Sequence, residues 1–333
     1  MPQCVNATIW ERAINHYPVK TFLRWLLKGR SRLKSTFMYL FCSLTWGLNF
    51  LIIKIQGNIV PLEISLFYRL SIACIIFFLV AAIGKKPLLF RKNQKVLFLF
   101  GAFNFCTSYL LLYYATFYVS SMFVCVIFSF KTIITPLLIF LFLKGKLDGK
   151  VMFGGLISIL GIIILLYPKL YTVFDSNFLL GCIIALSGTI ATSLGDVCSA
   201  KNCRDSIEPV PANAYGFLYA SLILFGYIRL SGIPFSFDTS PSYIFSIAYL
   251  CLFASVFAWL FYLNLIQTIG VEKSSYMVAS FPVIATIASL LTGEVRPDLN
   301  IVAGSFICTA GAFVALNVIS LIRQPHPLSR QKE

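Results

Sequence analysis

The sequence is short of charge. Only 12% of its 333 residues are Asp, Glu, Lys or Arg, and just 12 are acidic. A soluble domain carries about a quarter charged residues, so a globule surrounded by water is excluded. Histidine is almost missing, since the two copies, His16 and His326, lie in the terminal tails. Without internal histidines or clustered carboxylates there is no set for a metal centre or an acid–base pair, so no enzyme activity, cofactor or metal is expected. A disulfide framework is absent as well. Cys42, Cys74, Cys106, Cys125, Cys182, Cys251 and Cys308 lie inside apolar runs, where a thiol acts as a small hydrophobe. Cys198 and Cys203 flank a loop expected in the reducing cytoplasm. Residues 1–35 show neither the apolar core nor the cleavage site of a signal peptide.

Hydrophobic side chains fill the space that charge leaves, at 59% of the chain with a mean hydropathy of +0.86. Ten apolar segments recur, near 36–54, 62–84, 95–116, 119–143, 151–168, 177–200, 212–230, 241–268, 274–292 and 299–322. Most approach the roughly twenty residues that a helix needs to cross hydrocarbon. The pattern predicts an all-α membrane protein of ten transmembrane helices, the third and fourth forming a hairpin around Tyr118. In the basic tail 1–35, apolar Phe22, Trp25, Leu26 and Leu33 alternate with Lys20, Arg24, Lys28, Arg30 and Arg32, which suits an interfacial helix or a disordered tail. Residues 323–333 read as a second tail.

The net charge of +15 is a matter of placement. Basic residues crowd the N-terminal tail, 85–95, 144–150, 201–204, Lys273 and the C-terminal tail, while the alternate loops hold Lys169, Arg229 and Arg296. The positive-inside rule therefore predicts both termini in the cytoplasm. The same charge gives affinity for anionic lipid headgroups and leaves no case for nucleic acid.

The chain also repeats itself. A shift of 150 residues sets Gly154 on Gly304, Gly161 on Gly311, Tyr109 on Trp259, Lys144 on Glu294 and Pro61 on Pro211. A shift of 147 sets Asn49 on Asp196 and Lys54 on Lys201. Repeats of 36–168 and 177–322 with five helices each must enter the membrane in opposite senses. Inverted repeats of this kind build alternating-access carriers with a site at the midplane. The four glycines lie seven residues apart on the fifth and tenth segments and suit close helix packing or the face of a homodimer.

Trp46-Gly47-Leu48-Asn49-Phe50 followed by Lys54, Pro61 and Arg69 resembles the opening of EamA-type members of the drug/metabolite transporter superfamily. Leu291-Thr292-Gly293-Glu294, then Gly304 and Gly311, resemble the matching part of the second half. The likeness covers about 38–320. It departs at Lys144-Gly145, where the family often has Gly-Glu. The resemblance implies ten helices around a central cavity, no enzymatic chemistry and a place in a bacterial inner membrane. It also implies solutes such as amino acids, purines, sugars or cofactors. S-adenosylmethionine exchanged for S-adenosylhomocysteine is the leading candidate, with an aromatic amino acid or another metabolite as the alternative.

Charges inside a span are costly and usually face a cavity. Three stand out: Lys131 near the middle of the fourth segment, Arg69 about two turns into the second, and Asp196 in the sixth. Arg69 could instead snorkel or pair with Glu63, and Asp196 could pair with Lys201. Lys131 requires an anion, either Asp196 across the repeat or a carboxylate of the substrate, and the carboxylate is the favoured reading. Trp46, Tyr109 and Trp259, with Asn49 beside Trp46, are the expected lining, since aromatic faces hold flat rings and cations. Glu294 and Arg296 read as structural. A membrane-embedded enzyme and a solute-free scaffold are the other classes weighed, and vesicle uptake separates both from a carrier.

Overall fold

The computed structural model describes residues 18–57, 59–88, 93–144, 149–172, 176–269 and 277–315. The expected tail 323–333 and residues 1–17 lie outside them. All regular structure among the described residues is helical. In a low-dielectric solvent this follows from the backbone, because a helix satisfies its own N–H and C=O groups.

Helix α1 runs Pro18–Gly47 and α2 runs Asn49–Gln56, the two meeting at Leu48 with a bend of 42°. The basic stretch from Pro18 is helical and continuous with the first apolar segment. Next come α3 (Leu62–Ile83), α4 (Gln94–Tyr118), α5 (Ser121–Leu143), α6 (Gly149–Thr172), α7 (Ser176–Arg204) and α8 (Pro209–Leu230). The last are α9, whose parts Pro241–Ala248, Tyr249–Phe257 and Ala258–Ile269 run on without a break, α10 (Met277–Leu291) and α11 (Leu299–Ala315). The hairpin expected at Tyr118 is there, with Val119 and Ser120 between α4 and α5. Among the described residues, five helices are long and apolar enough to cross a membrane, or six if the bent α1–α2 pair counts as one span. The expected count of ten exceeds this. The apolar parts of α6, α10 and α11 are shorter, at Gly149–Leu165, Met277–Leu291 and Leu299–Val314.

The two halves interleave. α1 packs on α9 and α10, and its counterpart α7 packs on α4 and α5. α3 packs on α8, and the most extensive contact joins α6 to α11. α4 and α9 each widen into a π-helical stretch, Gly101–Thr107 and Tyr249–Phe257, at nearly the offset that relates the halves. Stretches of this kind mark functional positions in helices. The repeated glycines explain the α6–α11 contact. A Cβ on Gly161 would stand 2.4 Å from the Cys308 nitrogen, and one on Gly311 would stand 2.4 Å from that of Ser158. The glycine stripe therefore packs α6 against α11 within one chain, the close helix packing expected of it.

Candidate functional site

Arg69 lies on the face of α3 that Ser65 and Ala73 share, and all three are buried. Its guanidinium, 1% exposed, is held by neutral groups alone. Nε donates to Ser255 Oγ at 2.7 Å, Nη1 to Tyr113 Oη at 3.1 Å and Nη2 to Asn49 Oδ1 at 3.2 Å. The Tyr109 ring lies 4.7 Å from the guanidinium carbon, within cation–π range. Neither of the structural alternatives weighed for Arg69 in the sequence holds. It does not snorkel, and Glu63 instead accepts the Tyr114 hydroxyl. Ser255 reaches Arg69 from the π-helical stretch of α9, and the neighbouring Ala254 carbonyl accepts Trp46 Nε1–H at 2.9 Å.

The second charged centre is an ion pair. Lys131 Nζ lies 2.9 Å from Asp196 Oδ2, and Thr135 Oγ1 donates to the same oxygen at 3.1 Å. These side chains are 19% and 22% exposed, so solvent reaches them where it does not reach Arg69. Lys131 opens the second part of α5, after a turn at Ser129 and Phe130, and stands 5.7 Å from the Phe128 ring. Of the two anions weighed for Lys131, Asp196 is the one that lies beside it. Lys201, the alternative partner weighed for Asp196, pairs instead with Asp205 on its own helix at 3.3 Å.

Aromatic side chains fill the space between. Trp46 meets Trp259 at 5.6 Å, Tyr262 at 5.5 Å and Phe281 at 6.4 Å between centroids, all edge-to-face. Phe105 meets Trp259 at 5.5 Å and Tyr109 at 5.9 Å, which carries the cluster to the ring beneath Arg69. Trp259 Nε1 is buried without a hydrogen-bond partner. The structure thus joins Trp46, Tyr109 and Trp259 in one cluster, with Asn49 and Arg69 at one edge. Phe50 against Phe128, 5.7 Å apart, leads towards Lys131 and Asp196. Tyr113 and Ser255 are the partners that sequence reasoning missed, as a lone serine in an apolar helix gives no signal of its own.

One end of this region is fastened. Glu294 pairs with Lys54 at 2.9 Å and accepts the Ser121 N–H at 2.7 Å and the Ser289 hydroxyl at 2.7 Å. It therefore ties α2 and the start of α5 to α10. At the other end the repeat-matched residues are both lysines, Lys144 and Lys201, and Arg204 instead donates to the Leu143 carbonyl at 3.2 Å. The nine described cysteines are all free, and the described residues contain no His/Cys/Asp/Glu cluster suited to a metal.

Two stretches of the chain, residues 33–167 and 179–317, match the EamA-like transporter family. The chain belongs to that family. It is 27% identical to the protein PagO of Salmonella typhimurium over 249 residues, 74% of this chain and 81% of the relative. It is 26% identical to an uncharacterized transporter in the trpA 3′ region of Buchnera aphidicola, with the same coverage. An uncharacterized transporter of Archaeoglobus fulgidus shares 22% identity, covering 81% of this chain and 94% of that one. A solved crystal structure aligns with a TM-score of 0.64 at 16% identity, over 87% of this chain and 99% of the other, which shows a shared fold. The protein is an EamA-family membrane transporter with several apolar helices, and a transporter role agrees with the expected absence of enzyme activity.

Proposed function

We propose that this chain is a ten-span carrier with both ends in the cytoplasm, moving a polar organic metabolite by alternating access between inverted repeats. The substrate site is the aromatic cluster of Trp46, Tyr109 and Trp259 with Asn49 and Arg69 at one edge and Lys131 and Asp196 at the other. The observation that carries this reading is the pairing of charge with aromatic surface at the junction of the two halves. Intramembrane charges are retained where they serve a solute path, and ring faces take flat or cationic groups. The fastened Glu294 end and the partly exposed Lys131–Asp196 pair support a state open towards the Arg204 end, the cytoplasmic side in this topology. Four further helices, α8 and the shorter α6, α10 and α11, complete the ten spans, and the glycines of α6 and α11 let those two pack closely.

A zwitterion with a flat ring suits the site. S-adenosylmethionine exchanged for S-adenosylhomocysteine is one such solute, and an aromatic amino acid is the other. The proposed membrane is a bacterial inner membrane. Uptake into vesicles containing purified protein, with both solutes labelled and competed by unlabelled metabolites, tests the reading. Saturable uptake of one class is expected, and no uptake of any metabolite would overturn it. Orientation is tested separately in a cysteine-free background: an impermeant thiol reagent on intact cells should label a cysteine at Ser240 and spare one at Asn93. The opposite pattern would reverse the topology.

A further inference from the structure

Arg69 presents a buried positive charge with no negative partner among the described residues. A guanidinium has five N–H donors. Ser255, Tyr113 and Asn49 accept three, and two remain unspent. Ser255 and Tyr113 are fully buried and hold the group from behind. Asn49 and Tyr109 are only half-buried and form its approachable side. Asn49 makes the longest of the three bonds and opens α2 immediately after the bend at Leu48, so a rotation there uncovers the guanidinium. The one buried indole nitrogen of the cluster without a partner, Trp259 Nε1, is also a donor. Every unspent group named here therefore calls for an acceptor, and a permanent cation removed from water calls for an anion.

The repeat sharpens this. Asn49 and Asp196 occupy matched positions, and each faces one of the two intramembrane cations, Asn49 facing Arg69 and Asp196 facing Lys131. One position holds a carboxylate and the other its neutral, nearly isosteric amide. We propose that the Arg69–Asn49 centre is the anion subsite of the carrier and takes the carboxylate of the transported solute, which replaces Asn49 as a partner of the guanidinium. This rests on the carrier reading above and narrows its substrates to organic carboxylates, amino-acid zwitterions among them. The Lys131–Asp196 pair is already neutral and stays intact when the solute binds.

Asn49→Asp tests the proposal, because it supplies in the protein the carboxylate that the solute would bring. The variant should melt at a higher temperature than wild type, while its KM for carboxylated solutes rises by about tenfold or more, the loss of a charge-assisted hydrogen bond. Solute-induced thermal shifts of the wild type form the second measurement and do not depend on how the variant folds. Carboxylated amino acids should protect, whereas their amides, their decarboxylated amines, chloride and phosphate should not. A more stable Asn49→Asp protein with unchanged carboxylate uptake would make Arg69 a structural strut and overturn the proposal. Equal protection by amides, or protection by chloride or phosphate alone, would overturn it too. Specific protection by carboxylates without uptake of anything would instead overturn the carrier reading and leave the subsite standing.

Discussion

Arg69 and Lys131 are both cations set in apolar helices, yet the protein handles them in opposite ways. Lys131 keeps partial contact with solvent and has a carboxylate at 2.9 Å. Arg69 is sealed and has only hydroxyls, an amide and a ring. The difference fits the chemistry of the two groups. An ammonium is a compact, strongly hydrated charge that loses much on drying, whereas a guanidinium is planar, weakly hydrated and at home against rings and multiple acceptors. Placing the lysine where water and Asp196 reach it, and the arginine against Tyr109, puts each cation where its desolvation costs least.

The comparison can be broken most forcefully at Asp196. Asp196→Asn leaves Lys131 as short of an anion as Arg69 is. It should lower stability by about 2 kcal/mol, below the 3–5 kcal/mol of a fully buried pair because both side chains keep some exposure. Lys131→Met added to it should restore most of the loss, as coupled partners do, with melting in detergent as the readout. Additive losses would mean that the pair contributes nothing.

Moving the carboxylate gives a smaller effect. Asn49→Asp combined with Asp196→Asn keeps the net charge and should melt above Asp196→Asn alone, because the gain at Arg69 offsets part of the loss at Lys131. Melting at or below the single variant would show that Arg69 has no need of an anion. Smaller still are the single hydrogen bonds. Tyr113→Phe and Thr135→Val should each cost about 1 kcal/mol. Only Tyr113→Phe should also weaken carboxylate uptake, measured as KM, since it loosens the hold on Arg69.

The two ends of the molecule differ in a related way. At Glu294, burial pulls the carboxyl up, but the Ser121 hydroxyl and N–H, Ser289 and Lys54 together hold it below the ordinary value. A depressed carboxyl stabilises at pH above its unfolded value, and that contribution disappears as pH falls through the folded one. Acidification should therefore loosen this end, seen as faster labelling of a cysteine at Ser120. Glu294→Gln should label fast at every pH.

Much of this is legible in the sequence. Apolar run lengths marked the helices and the turn at Tyr118, and the rarity of charge singled out Arg69, Lys131 and Asp196. Offsets near 150 residues linked Asn49 to Asp196 and Tyr109 to Trp259. What could not be read was which groups meet. That Asp196 stands beside Lys131 could not be chosen over a substrate carboxylate, because the approach of α5 to α7 is a tertiary fact. Ser255 lies 186 residues from Arg69 and has no local pattern that announces it. Glycine spacing showed that helices approach closely but not that α6 and α11 of one chain are the helices concerned. The π-helical stretches carry no sequence rule.

The most direct measurement is a structure of the protein with a transported carboxylate solute bound. The account predicts the carboxylate within hydrogen-bond distance of the Arg69 guanidinium, the solute's ring against Trp46 or Trp259, and Lys131 still paired with Asp196. A carboxylate seated on Lys131, with Asp196 turned away to the solute's ammonium, would contradict it.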